Sequence, residues 1–104
     1  MDLSVTHDVD PSGRDRLTAQ GSIDLASREQ FLEAGRKALR DGATTLAIDL
    51  SGVTFMDSTG IGSLVELTRD AEDGGAGIVL VAPSDRIVRL LEITGLSDTW
   101  PVEA

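Results

Sequence analysis

The sequence predicts an α/β domain with a mixed, mostly parallel sheet of four or five strands, helices packed on that sheet and an antiparallel N-terminal hairpin. Three observations support this fold class. Strand-like apolar segments alternate along the chain with segments whose apolar residues recur every three or four positions. Glycine or proline follows most of these segments. The length of 104 residues suits a single domain, which we expect to span 1–104.

The first two strands are predicted from alternating apolar and polar residues over 3–9 and 17–23. Residues 10–13, Asp-Pro-Ser-Gly, lie between them and have the composition of a turn. The two strands should therefore form an antiparallel hairpin. His7 would lie in the first strand, as a surface or edge residue.

The first helix is predicted from about Arg28 to Asp41. Ser27 precedes Gln30 by three residues, which matches the capping box that begins many helices. Apolar residues at helical spacing follow, and Gly42 is placed to end the helix in a left-handed conformation.

The central unit is a strand, a polar turn and a helix. Apolar residues alternate over 46–50, which indicates a strand with at least one buried face, and a polar turn then interrupts the run before Ile61. The apolar face of the helix is expected to comprise Ile61, Leu64, Val65, Thr68 and Ala71. Asp57 and Ser58 lie where this helix begins, so either side chain could cap its free amides.

The last third of the chain repeats the pattern. Residues 78–82 are apolar without alternation, which is typical of a strand buried on both faces. Ser84 is placed to cap a third helix that Gly95 ends, and residues 99–102 could add a short last strand.

Composition and charge exclude several classes of function. Eighteen acidic and nine basic residues give a net charge of −9, which argues against binding to nucleic acid or to anionic membranes. The absence of cysteine excludes disulfides, thiolate metal sites and a cysteine nucleophile. The chain has neither a signal-peptide pattern at its start nor an apolar run long enough to span a bilayer. We therefore expect a cytoplasmic protein without membrane insertion.

Catalytic signatures are nearly absent. Gly60-Ile61-Gly62 begins like a dinucleotide-binding fingerprint, but Val65 stands where the third glycine belongs. A hydrolase that used Ser58 as its nucleophile would need a base, and the sole histidine, His7, is in the first strand. The sequence therefore predicts no enzyme, no cofactor and no bound metal.

Polar residues follow several predicted strands at what should be one edge of the sheet. Asp24 follows the second strand, the Asp57 turn follows the third, and Ser84 with Asp85 follows the fourth. Sites in α/β proteins are placed at such an edge. The apolar Phe55 and Met56 precede the Asp57 turn, although a plain helix cap would not need them. From the residues alone, both a functional site and a simple cap remain open.

These residues carry a resemblance to a known family. Gly21–Leu25 and Leu46–Ile61, with the turn Asp57-Ser58-Thr59-Gly60, resemble the STAS domain, the fold of bacterial anti-sigma-factor antagonists. The resemblance continues through the later strand and helix, in Val79–Val81, Ile87–Leu91 and Thr94–Leu96.

The resemblance implies a switch in protein binding. The unphosphorylated chain would bind an anti-sigma factor that is also a serine kinase of the GHKL ATPase type, and would thereby free the sigma factor. Phosphorylation of Ser58 would abolish this binding, and a phosphatase of the PP2C type would reset it.

The resemblance also assigns roles to the neighbours of Ser58. Asp24, Asp57, Ser58, Thr59 and Gly60 would form the partner-binding site. Asp57 would cap the helix, and Gly60 would allow either close approach of the partner or tight packing on the sheet. Asp24 would position the serine or help to hold magnesium during transfer, unless it is a simple strand-end acid. Ile61 and Gly62 are expected to serve the fold rather than partner contact.

Two questions stay open at this point. Lone STAS proteins also serve as subunits of lipid-transport ABC complexes or of stress-sensing assemblies, in which the serine turn would be an interface without a phosphoswitch. Family members commonly continue into a C-terminal helix, whereas this sequence stops at Ala104, so either the helix is absent or the sequence is truncated. Without that helix, part of the sheet or Trp100 would be exposed, which leaves a weak homodimer open.

Overall fold

Five strands form one sheet in chain order in the computed structural model, which describes residues 2–104. The first pair of strands is antiparallel and every later pair is parallel. The elements are β1 (Leu3–Val9), β2 (Asp15–Ile23), α1 (Arg28–Arg40), β3 (Thr45–Met56), α2 (Ser58–Asp73), β4 (Gly77–Val81), α3 (Asp85–Ile93) and β5 (Val102–Glu103). The predicted fold class is confirmed.

The helices cover one face of the sheet. Leu17, Ile48 and Leu80 pair across β2, β3 and β4, and each is fully buried. On this face α1 lies against β1 and β2, whereas α2 lies against β3 and β4. The residues that follow these in each strand point to the opposite face of the sheet, and Thr18 and Val81 among them are only half-buried. The prediction that the fourth strand is buried on both faces is therefore wrong, because helices cover only one of them.

The tip of the first hairpin is held by a single carboxylate. Asp10 is buried, and its Oδ1 accepts hydrogen bonds from the Ser12 hydroxyl at 2.7 Å and from the Arg14 amide at 2.9 Å. The Ser12 hydroxyl contributes most to holding the pKa of Asp10 well below its usual range, and Arg14 adds to the effect. Arg14 also donates both guanidinium NH₂ groups to Glu103, at 2.8 and 2.9 Å, which ties the hairpin tip to β5.

The central strand β3 is longer than predicted. It continues past Leu50 to Met56 through a bulge, where Asp49 accepts hydrogen bonds from the Ser51 amide and hydroxyl. A second shift in register against β2 follows at residues 53–55. Since β4 pairs only as far as Asp49, residues 50–56 have β2 on one side and no strand on the other.

The C-terminal segment returns to the core. Trp100 is only 5% exposed and donates its indole N–H to the Thr68 hydroxyl at 2.7 Å. The expectation that Trp100 would be exposed is wrong, because the chain after α3 packs this side chain against α2. Trp100 therefore provides no reason for self-association.

Candidate functional site

The ends of β2 and β3 bring the two predicted acidic turns together. Ile23 and Met56, the last residues of these strands, are partners in the parallel register. Asp24 and Asp57 directly follow them, so their turns lie side by side at one edge of the sheet. The predicted proximity of the Asp24 and Ser58 turns is thus present in the fold.

Asp57 caps helix α2. Its backbone is extended, with φ −113° and ψ −170°, and its side chain accepts a hydrogen bond from the Gly60 amide at 3.0 Å. The predicted capping role of Asp57 is confirmed. The amides of residues 58 and 59 have no intrahelical acceptor, as is general for the first amides of a helix.

Ser58 and Thr59 occupy the first two helical positions, and they differ in exposure. Ser58 is exposed, whereas Thr59 is half-buried. The first turn of α2 contains no acidic residue. The Ser58 hydroxyl is therefore accessible to another protein, next to free amides and the positive end of the helix dipole.

Gly60 is required by packing inside the molecule. A Cβ at this position would lie 2.7 Å from Met56 Cγ and closer still to the Ile23 carbonyl oxygen. Because glycine has no Cβ, the start of α2 can rest directly on the ends of β2 and β3. Of the two roles expected for Gly60, this geometry supports tight packing on the sheet.

Asp24 organises its own loop. Its Oδ1 accepts hydrogen bonds from the amides of Ala26 at 3.0 Å and Ser27 at 3.1 Å. Ser27 donates its hydroxyl to the Ser22 carbonyl at 2.7 Å and accepts from the Asp24 amide at 3.0 Å. The predicted capping box is therefore wrong, because the Ser27 hydroxyl makes no cap bond to α1 and instead closes the Asp24 loop.

Two apolar side chains flank the site. Leu25, next to Asp24, is 75% exposed, and Phe55, three residues before Ser58, is 38% exposed. Met56 between Phe55 and Asp57 is buried. Leu25 was not among the predicted site residues, although an apolar residue directly after an acid at the end of a strand could have indicated it.

The third predicted turn, at Ser84 and Asp85, follows a strand that ends earlier along the sheet than β3. Ser84 caps α3 by accepting from the Ile87 amide at 3.3 Å, which confirms its capping role. However, β4 ends at Val81, which pairs with Asp49, seven residues before Met56. At about 3.3 Å per residue, the two strand ends are roughly 20 Å apart along the sheet. Ser84 and Asp85 therefore follow a strand that stops short of the level reached by Met56.

His7 lies on the edge strand β1, as predicted, and its Nε2 hydrogen-bonds Asp15 at 2.9 Å. Within residues 2–104, no group of three or more His, Asp or Glu side chains is arranged to hold a metal ion.

No helix in this part of the chain is long and apolar enough to cross a membrane.

Comparison with known proteins identifies the family. The family model described as "Mlab, STAS domain" matches residues 7–102. An anti-sigma-B factor antagonist of Listeria monocytogenes is 40% identical over 78 residues, which are 75% of this chain and 68% of that protein. The crystal structure of an anti-sigma factor antagonist from Mycobacterium paratuberculosis superimposes with a TM-score of 0.85 at 25% identity, over 98% of this chain and 86% of that one.

A third relative has the same fold in a modified state. The Bacillus cell fate determinant SpoIIAA in its phosphorylated form superimposes with a TM-score of 0.72 at 24% identity, over 97% of this chain and 91% of that one. Because the family model spans nearly the whole chain and the Listeria relative shares its sequence, this chain belongs to the STAS family of bacterial anti-sigma-factor antagonists.

Proposed function

We propose that this protein is an anti-sigma-factor antagonist whose binding is switched by phosphorylation of Ser58. In its unphosphorylated form it binds an anti-sigma factor that is also a serine kinase of the GHKL ATPase type, and the sigma factor is released. The observation that carries the proposal is the exposed Ser58 hydroxyl at the first position of α2, beside the Asp57 cap, in a relative of known antagonists.

The helix end can accept a phosphate without damage to the fold. A phosphoryl group on Ser58 would face free amides and the positive end of the α2 dipole, which stabilises an anion by about 0.3–1 kcal/mol. Ser58 is exposed, so the added group would displace no core side chain. We therefore expect the phosphorylated protein to remain folded.

The same group would disrupt a protein interface. Phosphorylation adds roughly −1.5 to −2 charge at neutral pH, next to Asp57 and close to the Asp24 loop. An uncompensated charge buried against a partner costs several kcal/mol, and about 4 kcal/mol weakens binding roughly a thousandfold. Phosphorylation would thus switch binding rather than folding.

The neighbours of Ser58 have distinct proposed roles. Asp57 fixes the start of α2, and Gly60 allows α2 to rest on the strand ends, so both position the serine. Asp24 holds the adjacent loop, which presents Leu25 to the partner. Thr59 is a poorer acceptor than Ser58 because it is half-buried. A PP2C-type phosphatase would restore the free hydroxyl and complete the cycle.

The proposal is tested by capture of partners from lysate of the source cells, followed by mass spectrometry. The baits are the wild-type chain, Ser58→Ala, Ser58→Asp and the control Ser97→Asp, which adds the same charge at another exposed serine. We expect a kinase-like ATP-binding protein on wild type, Ser58→Ala and Ser97→Asp, and not on Ser58→Asp. Incubation of the wild-type complex with ATP should then add one phosphate to Ser58.

Other outcomes would contradict the proposal. Equal capture of one partner by all four baits would show a constitutive interaction subunit. Recovery of a transporter ATPase would favour the lone STAS subunit of a lipid-transport complex. Recovery of further STAS proteins in a large particle would favour a stress-sensing assembly.

A further inference from the structure

Gly62 has no structural reason to be glycine within this molecule. Two other glycines inside helices are explained by packing, because a Cβ at Gly35 would contact the Leu67 side chain and one at Gly60 would meet the Ile23 carbonyl. A Cβ at Gly62 would meet no atom of residues 2–104 within 4 Å, apart from its own helix backbone and chain neighbours. Its φ is not in the left-handed region, so alanine would fit. Packing within the molecule therefore gives no support to the expectation that Gly62 serves the fold.

Glycine inside a helix is also unfavourable. It loses more backbone entropy on folding than any other residue, and alanine is the best helix former. An exposed position in α2 thus carries a destabilising residue that no contact within the molecule explains. With packing and backbone conformation excluded, glycine at this position is explained by the close approach of another backbone or of a ligand.

Gly62 lies on the same face of α2 as the proposed phosphorylation site. Ser58, Gly62, Val65 and Arg69 follow one another at intervals of four, three and four residues, which places them in one stripe along a helix. Ser58, Gly62 and Arg69 are exposed, and Val65 is half-buried. With a rise of 1.5 Å per residue, the stripe is about 16 Å long.

Arg69 ends this stripe with an unpaired charge. On the side of α2 that faces α1, Glu66 pairs with Arg28 and Arg36, and Asp70 pairs with Arg36. Arg69 makes no ion pair within the described residues 2–104. Although the protein has a net charge of −9, this exposed arginine is a local positive charge that favours a carboxylate on the partner.

We propose that the stripe formed by Ser58, Gly62, Val65 and Arg69 is the contact surface for the partner that binds at Ser58. This inference rests on the proposed function. The partner's backbone or a small side chain packs directly against α2 at Gly62, and a partner carboxylate pairs with Arg69. Gly62 sets how closely the partner approaches, whereas Ser58 sets whether it can bind. The interface therefore continues well beyond the phosphorylation site.

Gly62→Ala separates folding from binding, because the inference predicts opposite effects on the two. In thermal unfolding the variant should gain about 4 °C in Tm. Its affinity for the ATP-binding partner captured by the wild-type chain should fall about tenfold to a hundredfold, measured by calorimetry, because an added methyl overpacks the contact.

The charged end of the stripe has a matched control. Arg69→Gln and Arg40→Gln remove the same charge from exposed helical arginines, but Arg40 lies on α1 and pairs with Glu33. Arg69→Gln should weaken binding about three- to tenfold and reduce its salt dependence, while Arg40→Gln should leave both unchanged.

The outcomes distinguish this inference from the proposed function. A lower Tm for Gly62→Ala, or binding equal to wild type, would overturn the inference even if Ser58→Asp abolishes binding. Loss of binding by Gly62→Ala with full binding by Ser58→Asp would support the surface and refute the phosphoswitch. Failure of the wild-type chain to bind any ATP-binding partner would refute both.

Discussion

Gly60→Ala should destabilise the protein, although the same substitution two residues later should stabilise it. The difference arises from what a Cβ meets at each position. At Gly60 the methyl would overlap the Ile23 carbonyl oxygen and press on Met56 Cγ at 2.7 Å, whereas at Gly62 it would enter open space. The Ile23 carbonyl belongs to the backbone of the sheet, so it cannot move away cheaply.

The magnitudes follow from two opposing contributions. Replacement of glycine by alanine in a helix gains up to about 1 kcal/mol. Overpacking against fixed neighbours costs about 1–3 kcal/mol, and more where backbone must shift. Because backbone must shift at Gly60, an overpacking cost of about 2–4 kcal/mol less a helix gain of about 1 kcal/mol should lower the free energy of unfolding by about 1–3 kcal/mol, or roughly 5–15 °C in Tm.

Urea unfolding followed by far-UV circular dichroism and by the fluorescence of Trp100 measures both variants on one scale. The buried Trp100 reports the packing of the C-terminal segment on α2, and it is the sole tryptophan. A Gly60→Ala protein as stable as Gly62→Ala would refute the reasoning, because it would mean that the start of α2 does not rest on the strand ends.

Three further predictions concern single hydrogen-bonding groups. Asp57→Ala removes the cap of α2 and should cost about 0.5–2 kcal/mol in urea unfolding, and Asp57→Asn should restore most of it. The hydroxyl of the buried Ser22 has no hydrogen-bond partner in the described part of the chain, so Ser22→Ala should be neutral or stabilising, and a loss above about 1 kcal/mol would contradict this. Asp10 has a lowered pKa, so its contribution to stability is present above about pH 4 and is lost as the pH falls further. The urea midpoint of wild type should decline in acid more steeply than that of Asp10→Asn, and parallel declines would show that Asp10 is not responsible.

The order of elements could be predicted because hydrophobic periodicity survives in this fold. Alternation over 17–23 and helical spacing after Ile61 both reflect real burial, and Asp57 and Ser84 cap the helices that follow them, although Val9 in the first strand is exposed. Asp24 and Asp57 could be placed together because parallel strands end at a common edge.

The errors arose where one side chain had competing partners or where neighbours were unknown. Ser27 has the spacing of a capping box, but the Ser22 carbonyl takes its hydroxyl. Apolar alternation stops at Leu50, but Asp49 stabilises a bulge at Ser51 through which the strand continues to Met56. Whether a glycine is needed depends on atoms distant in sequence, so Gly60 and Gly62 could not be told apart before the fold was known.

The one-sided pairing of the end of β3 has a consequence for local motion. Residues 45–49 have a strand on each side, whereas residues 50–56, which lead to the Ser58 turn, are held by β2 alone. Amide hydrogens of the first segment should exchange only through global unfolding, and those of the second through smaller openings of lower free energy. Under the proposed function, a kinase that draws Ser58 into its own active site would meet a segment that can open locally while the core stays folded.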